Sequence, residues 1–527
     1  MIKEWLFTTD HKRVGILYLI GSIAAFAVAG IMALLLRIEL STLGHTIMEA
    51  DTYNTFLYFH GAAMILGFLI PGLTGFMANY LVPIMIGAHD VAFPRLNALS
   101  VWLFWAGIVL ALLTFVIPDP PDMMWTGYPP YSVQTAGNTA FYVFTVHLIG
   151  FSSLLGAANF LTTVVYMRAP GMGWNQLNIF VWATVGAFIV QLIFVPVLAS
   201  AVTLLLLDKY LGTAFYDAVK GGDVFLYQNL FWFYSHPAVY VIALPAVGAL
   251  LEIISTHTRN PIFNYKVTVY GGVIGVVLLG SDVWAHHLYA SGIADWLRIG
   301  MMFTTLLISV PMGLLTISMV GTFYKGAARY PTPMLYASSC LFLILIGGLT
   351  GIPLALTSLT LHLHGTYFVM AHFHFIMGIM ATFALFASIY HWFPKFTGRM
   401  YNETAGKVGF WLNFIGVNVT FLVLFDIGVR GMPRRYYDYQ MFPQFEFYQQ
   451  IATVGALIIV LGMTVTILNW IVGAIAGEKA TDNPWGSRSL EWTHTQTPPG
   501  PGNFPTPPVV DENWSPYNYG GHTAKTI

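Results

Sequence analysis

Ala371-His372-Phe373-His374 stands in the middle of an apolar run that extends from about Thr366 to His391. A histidine in a run long enough to cross a membrane is costly unless a partner satisfies it, so it is a functional candidate by default. Two residues that are two positions apart on an α-helix point about 200° apart. We therefore expect His372 and His374 to have two different partners, either cofactors or hydrogen-bonding groups on neighbouring helices.

The composition indicates an integral membrane protein. Of the 527 residues, 57% are hydrophobic and only 9% are charged. A net charge of −1 gives no electrostatic reason to expect nucleic acid as a partner. The single cysteine, Cys340, excludes a disulfide framework or a thiolate cluster, whereas the 16 histidines favour imidazole ligation of copper or haem iron.

Runs of about 20 apolar residues predict about twelve transmembrane helices, and hence an all-α membrane bundle. The predicted limits are 13–36, 54–83, 98–117, 139–167, 175–206, 223–256, 267–287, 297–324, 332–357, 366–393, 406–428 and 449–477. We predict one twelve-helix domain over 1–477. The segment 478–527 is rich in Pro and Gly and predicts an extended cytoplasmic tail without its own core.

Loop charge predicts the orientation of the chain. With an even number of spans, about two-thirds of the 22 lysines and arginines fall on the side that carries both termini. This bias places both termini in the cytoplasm, and we predict a bacterial inner membrane. The polar residues before the first run do not fit a cleavable signal peptide.

Four further histidines lie in or beside the apolar runs. His60 is alone in the second run, where it is either hydrogen-bonded or one of two axial haem ligands, with His374 as the other. His236 and Tyr240 are four positions apart and share a helix face, as a redox pair or as a hydrogen-bonded one. The adjacent His286 and His287 can converge on one ion if the helix end is distorted. With His236 they give three imidazoles, a set that suits copper with an open position.

Paired arginines follow the eleventh run in Gly431-Met432-Pro433-Arg434-Arg435-Tyr436. Guanidinium groups suit carboxylates such as haem propionates. Read alone, the pair is also typical of a solvated loop.

Taken together, these residues resemble subunit I of the haem-copper oxidases, of the cytochrome c oxidase kind, over nearly the whole span region. The specific motifs are Trp5-Leu6-Phe7-Thr8-Thr9-Asp10-His11-Lys12, Asp90-Val91-Ala92-Phe93-Pro94-Arg95-Leu96-Asn97, Trp125-Thr126-Gly127-Tyr128-Pro129-Pro130, Trp284-Ala285-His286-His287, His372/His374 and Gly431-Met432-Pro433-Arg434-Arg435. The resemblance implies a bundle that encloses two haems and one copper ion, CuB.

The resemblance also implies a role for each ligand. His60 and His374 would be the axial ligands of a low-spin haem, and His372 the proximal ligand of a high-spin haem that is open to O2. The copper ligands would be His236, His286 and His287.

Other cofactor contacts are implied in the same way. Tyr240 would be linked covalently to His236 and would supply an electron and a proton. Arg37 matches the arginine at the formyl group of the low-spin haem, which favours haem A at both sites. Trp125 belongs to the expected cofactor-binding residues, and Arg434 and Arg435 would hold propionates.

The implied reaction is reduction of O2 to water by a respiratory terminal oxidase that pumps protons. Its electrons would come from cytochrome c or a similar donor through a copper-bearing subunit II, with subunit III and possible membership of a respiratory supercomplex as further partners. A quinol oxidase shares the same core and is the main alternative. A nitric oxide reductase is disfavoured by Tyr240 and Asp90, and a metal transporter would need histidines free of haem.

Proton entry is the least regular part of the resemblance. The family's D pathway is matched by Asp90, Asn79 and Asn97 at its mouth and by Ser152, Ser153 and Asn159 higher up. Where many relatives carry glutamate this chain has Ala238, and the sequence resembles the subgroup in which a tyrosine-serine pair, Tyr234 and Ser235, replaces it.

The second proton route of the family lacks its lysine, because Leu315 stands at that position. Asp282 or Glu252 is our hypothesis for a substitute. Unchanged haem reduction rates after replacing each with an apolar isostere would exclude both. His364-Gly365 keeps the histidine of the family's magnesium site but not its aspartate, so magnesium is not expected.

Overall fold

The computed structural model describes residues 2–519, in which the regular secondary structure is helical and β-structure is limited to two isolated bridges. Eleven of the described helices are long and apolar enough to cross a membrane, and a shorter apolar helix over Val267–Leu279 makes twelve. The predicted all-α bundle of about twelve spans is therefore confirmed. The end of the predicted tail, 520–527, which includes Lys525, lies outside the described residues.

The spans are numbered here in chain order. They are His11–Glu39, Ala50–Met85, Pro94–Leu113, Thr139–Tyr166, Ile179–Leu211, Val224–Thr258, Val267–Leu279, Asp295–Phe323, Thr332–Ala355, Tyr367–Thr397, Glu403–Val429 and Pro443–Ala476. Short helices in the connections are Ile2–Leu6, Tyr131–Gln134, Thr357–Leu363 and Leu490–Thr493, with 3₁₀ turns at Trp174–Gln176, Ala218–Lys220 and Trp284–Leu288.

The sixth span forms the centre of the bundle. In its most apolar stretch 94% of the residues are buried inside the protein, against 33% for the first span. It packs against the fifth, eighth, ninth and tenth spans. Side chains on this span, including His236 and Tyr240, therefore lie within the protein and away from lipid.

Small residues allow the outer spans to pack closely. A Cβ atom on Gly416 of the eleventh span would lie 2.8 Å from the backbone nitrogen of Ile459 in the twelfth. A Cβ atom on Gly409 would lie 2.6 Å from the hydroxyl of Thr466. Close approach at small residues is a common source of attraction between helices in lipid, where the hydrophobic effect contributes little.

Two spans that carry candidate ligands contain wide π-helical turns. The second span has them at Ala63–Leu69 and Pro71–Met77, shortly after His60, and the tenth has one at His374–Ile379. Such turns are frequent at functional sites because the extra residue shifts the direction of the side chains that follow. The seventh span has a third π-helical stretch, Val267–Val273, which contains no histidine, so such turns are not confined to the candidate ligands.

The seventh span is shorter than predicted, and its predicted end at residue 287 is wrong. The helix stops at Leu279, and His286 and His287 lie in the separate 3₁₀ turn Trp284–Leu288. A Cβ atom on Gly280 would come within 2.5 Å of the Tyr240 ring, so the chain turns where it meets that side chain. The apolar composition continues through this turn and conceals it.

The tail packs against one end of the bundle, here called the N-face, defined as the end where the first span begins at His11. Lys395 of the tenth span donates to the hydroxyls of Thr495 and Thr497 at 3.0 and 2.8 Å. Leu490 and Trp492 of the tail are buried. The described tail therefore follows the bundle surface closely.

Candidate functional site

One cavity of about 1210 Å³ runs between the spans and collects the predicted cofactor ligands. A single water needs only about 10–15 Å³ of such volume, so this cavity has room for large prosthetic groups. The predicted residues that line it are His60, His236, His286, His287, His372, His374, Tyr240, Arg37, Trp125, Arg434 and Arg435.

Three imidazoles converge at one side of this cavity. One ligand atom from each of His236, His286 and His287 lies within 4.8 Å of the others. Nδ1 of His236 is 3.2 Å from Nε2 of His287, whose ring stacks on Trp232 with 3.5 Å between centroids. His236 is buried and the other two are half-buried, and such an all-nitrogen donor set fits a copper ion. The 3₁₀ turn is the distortion that brings the adjacent histidines together.

Tyr240 lies beside this imidazole set, one helical turn after His236. The centroids of the His236 and Tyr240 rings are 5.0 Å apart. Nε2 of His236 is buried and has no hydrogen-bond partner among the described residues. An unpartnered buried polar atom calls for an explanation, and the Tyr240 ring is one of the close neighbours of this imidazole.

His60 and His374 face each other across the cavity from the second and tenth spans. Their rings are within 7° of parallel, with centroids 6.5 Å apart. Nδ1 of His60 is 3.1 Å from the carbonyl oxygen of Ala29, and Nδ1 of His374 is 2.8 Å from that of Met370. A backbone carbonyl on one ring nitrogen fixes the tautomer and leaves the other nitrogen free to bind metal. The pair therefore fits two axial ligands of one haem.

His372 contacts the ninth span, on a different side of its helix from His374. Its Nδ1 lies 3.1 Å from the hydroxyl of Thr350, and a Cβ atom on Gly351 would be 3.1 Å from its ring. The neighbouring Gly347 and Gly348 also line the cavity. Thr350, which the sequence analysis missed, leaves Nε2 of His372 available for a second haem, and the glycines leave space beside it.

Arg37 is held at the cavity by the twelfth span. Its Nη2 donates to the backbone oxygen and to the side-chain oxygen of Gln449, each at 2.8 Å. Its Nε and Nη1 are buried without a partner among the described residues. Donors left free in this way fit an acceptor oxygen on a group that occupies the cavity.

Arg434, which is half-buried, and Arg435, which is exposed, form a cationic pair at the end of the bundle opposite the N-face. Burial, and to a lesser extent the charge of Arg435, lowers the pKa of Arg434 to about 9. No carboxylate of residues 2–519 lies within salt-bridge distance of either guanidinium. Carboxylates of a bound group would supply the missing partner.

A chain of buried hydrogen bonds leads inward from the N-face. The Asn97 side chain donates to the Asn79 side chain at 2.6 Å, and the Ser100 hydroxyl donates to the backbone carbonyl of Asn97 at 2.7 Å. Tyr18 then connects Ser100 at 3.0 Å with Ser152 at 2.7 Å. The sequence did not single out Tyr18 and Ser100. Each carries a hydroxyl within an apolar run, and that hydroxyl was the only sequence feature that could have indicated them.

Other predicted proton-route residues have different surroundings. The half-buried Asp90 accepts from the backbone of Val91 at 2.8 Å. The Asn159 side chain bonds both backbone groups of Phe93, at 2.8 and 3.2 Å. Asn159 therefore holds the loop after Asp90 and is not a link in the chain that ends at Ser152.

Tyr234 separates two cavities. With Ser153 it lines a small cavity of about 20 Å³, enough for about one water. With Ser235 it also lines the large cavity, where the Ser235 hydroxyl is buried without a partner among the described residues. Tyr234 and Ser235 thus lie between the fourth span and the three imidazoles of the candidate copper site.

In the second proton route, the position of the family's lysine is taken by Leu315, which is apolar and buried against Gly272. Asp282 is exposed. Glu252 is buried and accepts from Tyr517 at 2.6 Å and from Asn178 at 3.2 Å. Glu252 is therefore the acid with the more enclosed setting, and the tail covers it.

Known proteins resemble this chain over nearly its full length. Residues 13–458 match the family described as "Cytochrome C and Quinol oxidase polypeptide I". "Cytochrome c oxidase subunit 1" of Thermostichus vulcanus is 42% identical over 98% of this chain and 92% of its own. The protein of the same name from Synechocystis sp. is 41% identical, with the same coverage of both chains.

A solved structure supports the fold. A chain of a heme-copper terminal oxidase dimer, determined by cryo-EM, superposes with a TM-score of 0.75 over 89% of this chain and 84% of that one. At 19% identity this likeness concerns the fold alone. The sequence match to the family covers the same spans that enclose the cavity. This chain belongs to the family of cytochrome c and quinol oxidase polypeptide I.

Proposed function

We propose that this chain is the catalytic subunit of a respiratory terminal oxidase. It reduces O2 to water with electrons from cytochrome c or a similar donor and couples the reaction to proton pumping. Family membership makes the chain a membrane oxidoreductase subunit that carries haem and copper. The observation that carries the catalytic role is the convergence of His236, His286 and His287 on a cavity that His372 also lines.

The residues around the cavity support two haem positions. His60 and His374 would hold a low-spin haem, and His372 a high-spin haem beside the copper ligands. The bound haems and copper supply electron transfer and the binding and reduction of O2. Haem A at both positions accords with the apolar residues that line the cavity, among them Leu345, Leu349, Ile459 and Met463.

The protein groups orient these cofactors and manage protons. Thr305 contacts Nδ1 of His286 at 3.1 Å and fixes the ring as a ligand. Arg37 offers its two free donors to the low-spin haem, and Arg434 and Arg435 offer theirs to propionates. We further propose that Tyr240 is linked to His236 and delivers a proton and an electron from its hydroxyl when the O–O bond breaks.

Protons would enter at Asp90 and follow the hydrogen-bonded chain from Asn79 and Asn97 to Ser152. Hydroxyl groups and water can pass protons by exchanging donor and acceptor roles, and the amides of Asn79 and Asn97 would position them. Ser153, Tyr234 and Ser235 would complete the route to the cavity. Leu315 carries no proton, and Glu252 is our candidate for the second route because it is buried at the N-face end of the span that bears Tyr240.

Replacing Tyr234 with phenylalanine and Ser235 with alanine together tests this route. We expect proton ejection per O2 to fall, and turnover to drop at least about tenfold, because a positioned proton donor contributes that much or more. Reconstituted vesicles with a pH-sensitive dye provide the measurement. Tyr336→Phe is the control, since Tyr336 is also buried but bonds Asn413 at the opposite side of the bundle. Normal pumping by the double variant would exclude the pair.

The assembly and location follow from the same proposal. The chain would work with a copper-bearing subunit II and with subunit III in a bacterial inner membrane, with a respiratory supercomplex as a further partner. The bias of loop charge supports cytoplasmic termini. Lys12 also contacts Asn503 of the tail, so the start of the first span and the tail both lie at the N-face. The twelve-helix domain would end near residue 477, followed by the tail 478–527.

A spectrum and two substrates test the function directly. The purified complex is expected to show haem bands in its reduced-minus-oxidised spectrum and to consume O2 with reduced cytochrome c. Activity with quinol alone would favour the quinol oxidase, which has the same core. Absence of haem bands would end the oxidase proposal.

A further inference from the structure

We propose that Asn503, in the C-terminal tail, is a positioning residue for proton entry. Its side chain joins the start of the first span to the loop that carries Asp90. The inference rests on the proposed role of Asp90 as the mouth of the proton route, and it assigns to the tail a function in catalysis that goes beyond covering the N-face.

Asn503 is almost fully enclosed and uses both ends of its amide. It is 1% exposed. Its oxygen accepts from Nζ of Lys12 at 2.9 Å, and Nε2 of His11 lies 3.0 Å from that oxygen and 2.9 Å from the amide nitrogen, which can donate to it. Its nitrogen donates to the carbonyl oxygens of Ala88 at 2.9 Å and of His89 at 3.2 Å. A side chain that only filled space would not need this set of partners.

These partners lie on both sides of the proton route. Ala88 and His89 directly precede Asp90 in the chain. Nδ1 of His11 is 2.6 Å from the carbonyl oxygen of Asn79, which begins the buried hydrogen-bonded chain. One amide of the tail therefore sets the distance between the acid at the mouth and the first link inside.

The loop around Asp90 is held from the opposite side by the fourth span. Asn159 bonds the backbone of Phe93, and the Thr163 hydroxyl accepts from the backbone of Ala92 at 2.9 Å. Residues 88–93 are thus clamped between the tail and the fourth span. Because proton transfer depends on the reach of a hydrogen bond, loosening one side of this clamp disconnects Asp90 from the chain.

The partners of Asn503 are also costly to leave unpaired. Lys12 forms an ion pair with Asp10 at 3.1 Å, and its side chain is only 11% exposed. Removing the amide leaves the Lys12 ammonium without one acceptor, the buried His11 without its neighbour and two carbonyl oxygens without a donor. Buried groups that lose a partner rearrange or admit water, and here they would do so at the mouth.

Asn503→Ala in the assembled oxidase, reconstituted in vesicles, tests the proposal. We expect turnover and the rate of proton uptake to fall at least about fivefold, because a small displacement of transferring groups has large kinetic effects. The KM for the electron donor and the haem spectrum should stay unchanged. The pH profile of turnover should shift, since the residues that bond the amide or adjoin its partners carry ionisable side chains, namely Asp10, His11, Lys12, His89 and Asp90.

The matched control loosens the tail elsewhere. Gln176 donates to the carbonyl oxygens of Asp511 and Trp514 at 2.7 and 3.1 Å, away from Asp90. Gln176→Ala should leave proton uptake and the pH profile as they are. An equal loss in Gln176→Ala would show that tail docking in general is needed, and it would overturn the specific role of Asn503.

A second variant covers a failure of the first to assemble. Asn503→Asp keeps the size and the acceptor for Lys12 but cannot donate to Ala88 and His89, so it should also slow proton uptake. Normal uptake and an unshifted pH profile in this variant, with Asn503→Ala normal or unassembled, would refute the inference. The proposed oxidase function is tested separately, by the haem bands and O2 consumption of the unaltered complex.

Discussion

Replacing His287 with asparagine is expected to stop O2 reduction and to remove one copper ion per complex. His287 lies within 4.8 Å of the ligand atoms of His236 and His286, so two imidazoles would remain where three are needed. Changes in groups that merely support a ligand cost about 10- to 100-fold. Loss of a ligand should therefore lower turnover at least about a hundredfold, as measured by O2 uptake and by metal analysis of the purified complex.

His362→Asn is the matched control for that variant. His362 is exposed in the short helix Thr357–Leu363, on the same side of the bundle, and does not line the cavity. It should keep full copper content and activity. Full copper content in His287→Asn would contradict the assignment of the three histidines as one site.

The arrangement of the spans could be predicted because it depends on composition. A run of about 20 apolar residues crosses a membrane almost regardless of its neighbours. The direction of His372 and His374 likewise follows from the turn per residue of one helix. Each of these properties belongs to a short piece of chain, so the sequence alone carries it.

The parts that could not be predicted depend on contacts between distant residues. The hydrogen bond between Tyr18 and Ser152 joins residues 134 positions apart, and that between His11 and Asn503 joins residues 492 apart. Nothing in a local pattern shows which of many hydroxyls and amides will meet. The turn after Leu279 was missed for a related reason, because the Tyr240 ring that packs against Gly280 comes from another span.

The tenth span offers a sharper test, since two histidines two positions apart are expected to fail in different ways. His374→Ala should lose the low-spin haem signal, because His60 would keep no partner across the 6.5 Å between the rings. His372→Ala should keep that signal and lose the haem that binds carbon monoxide in the reduced state. Either variant should reduce turnover at least about a hundredfold. Visible and electron paramagnetic resonance spectra separate the two outcomes.

Phe375→Leu controls for disturbance of the helix itself. Phe375 is fully buried in the same turn but packs against Phe425 and does not line the cavity. A smaller apolar side chain there costs some stability through the space that it leaves, yet both haem signals should persist. If both histidine variants lost the same signal, the two side chains would serve one cofactor. That result would contradict their positions, because Thr350 holds His372 towards the ninth span while His374 stacks on Phe421 of the eleventh.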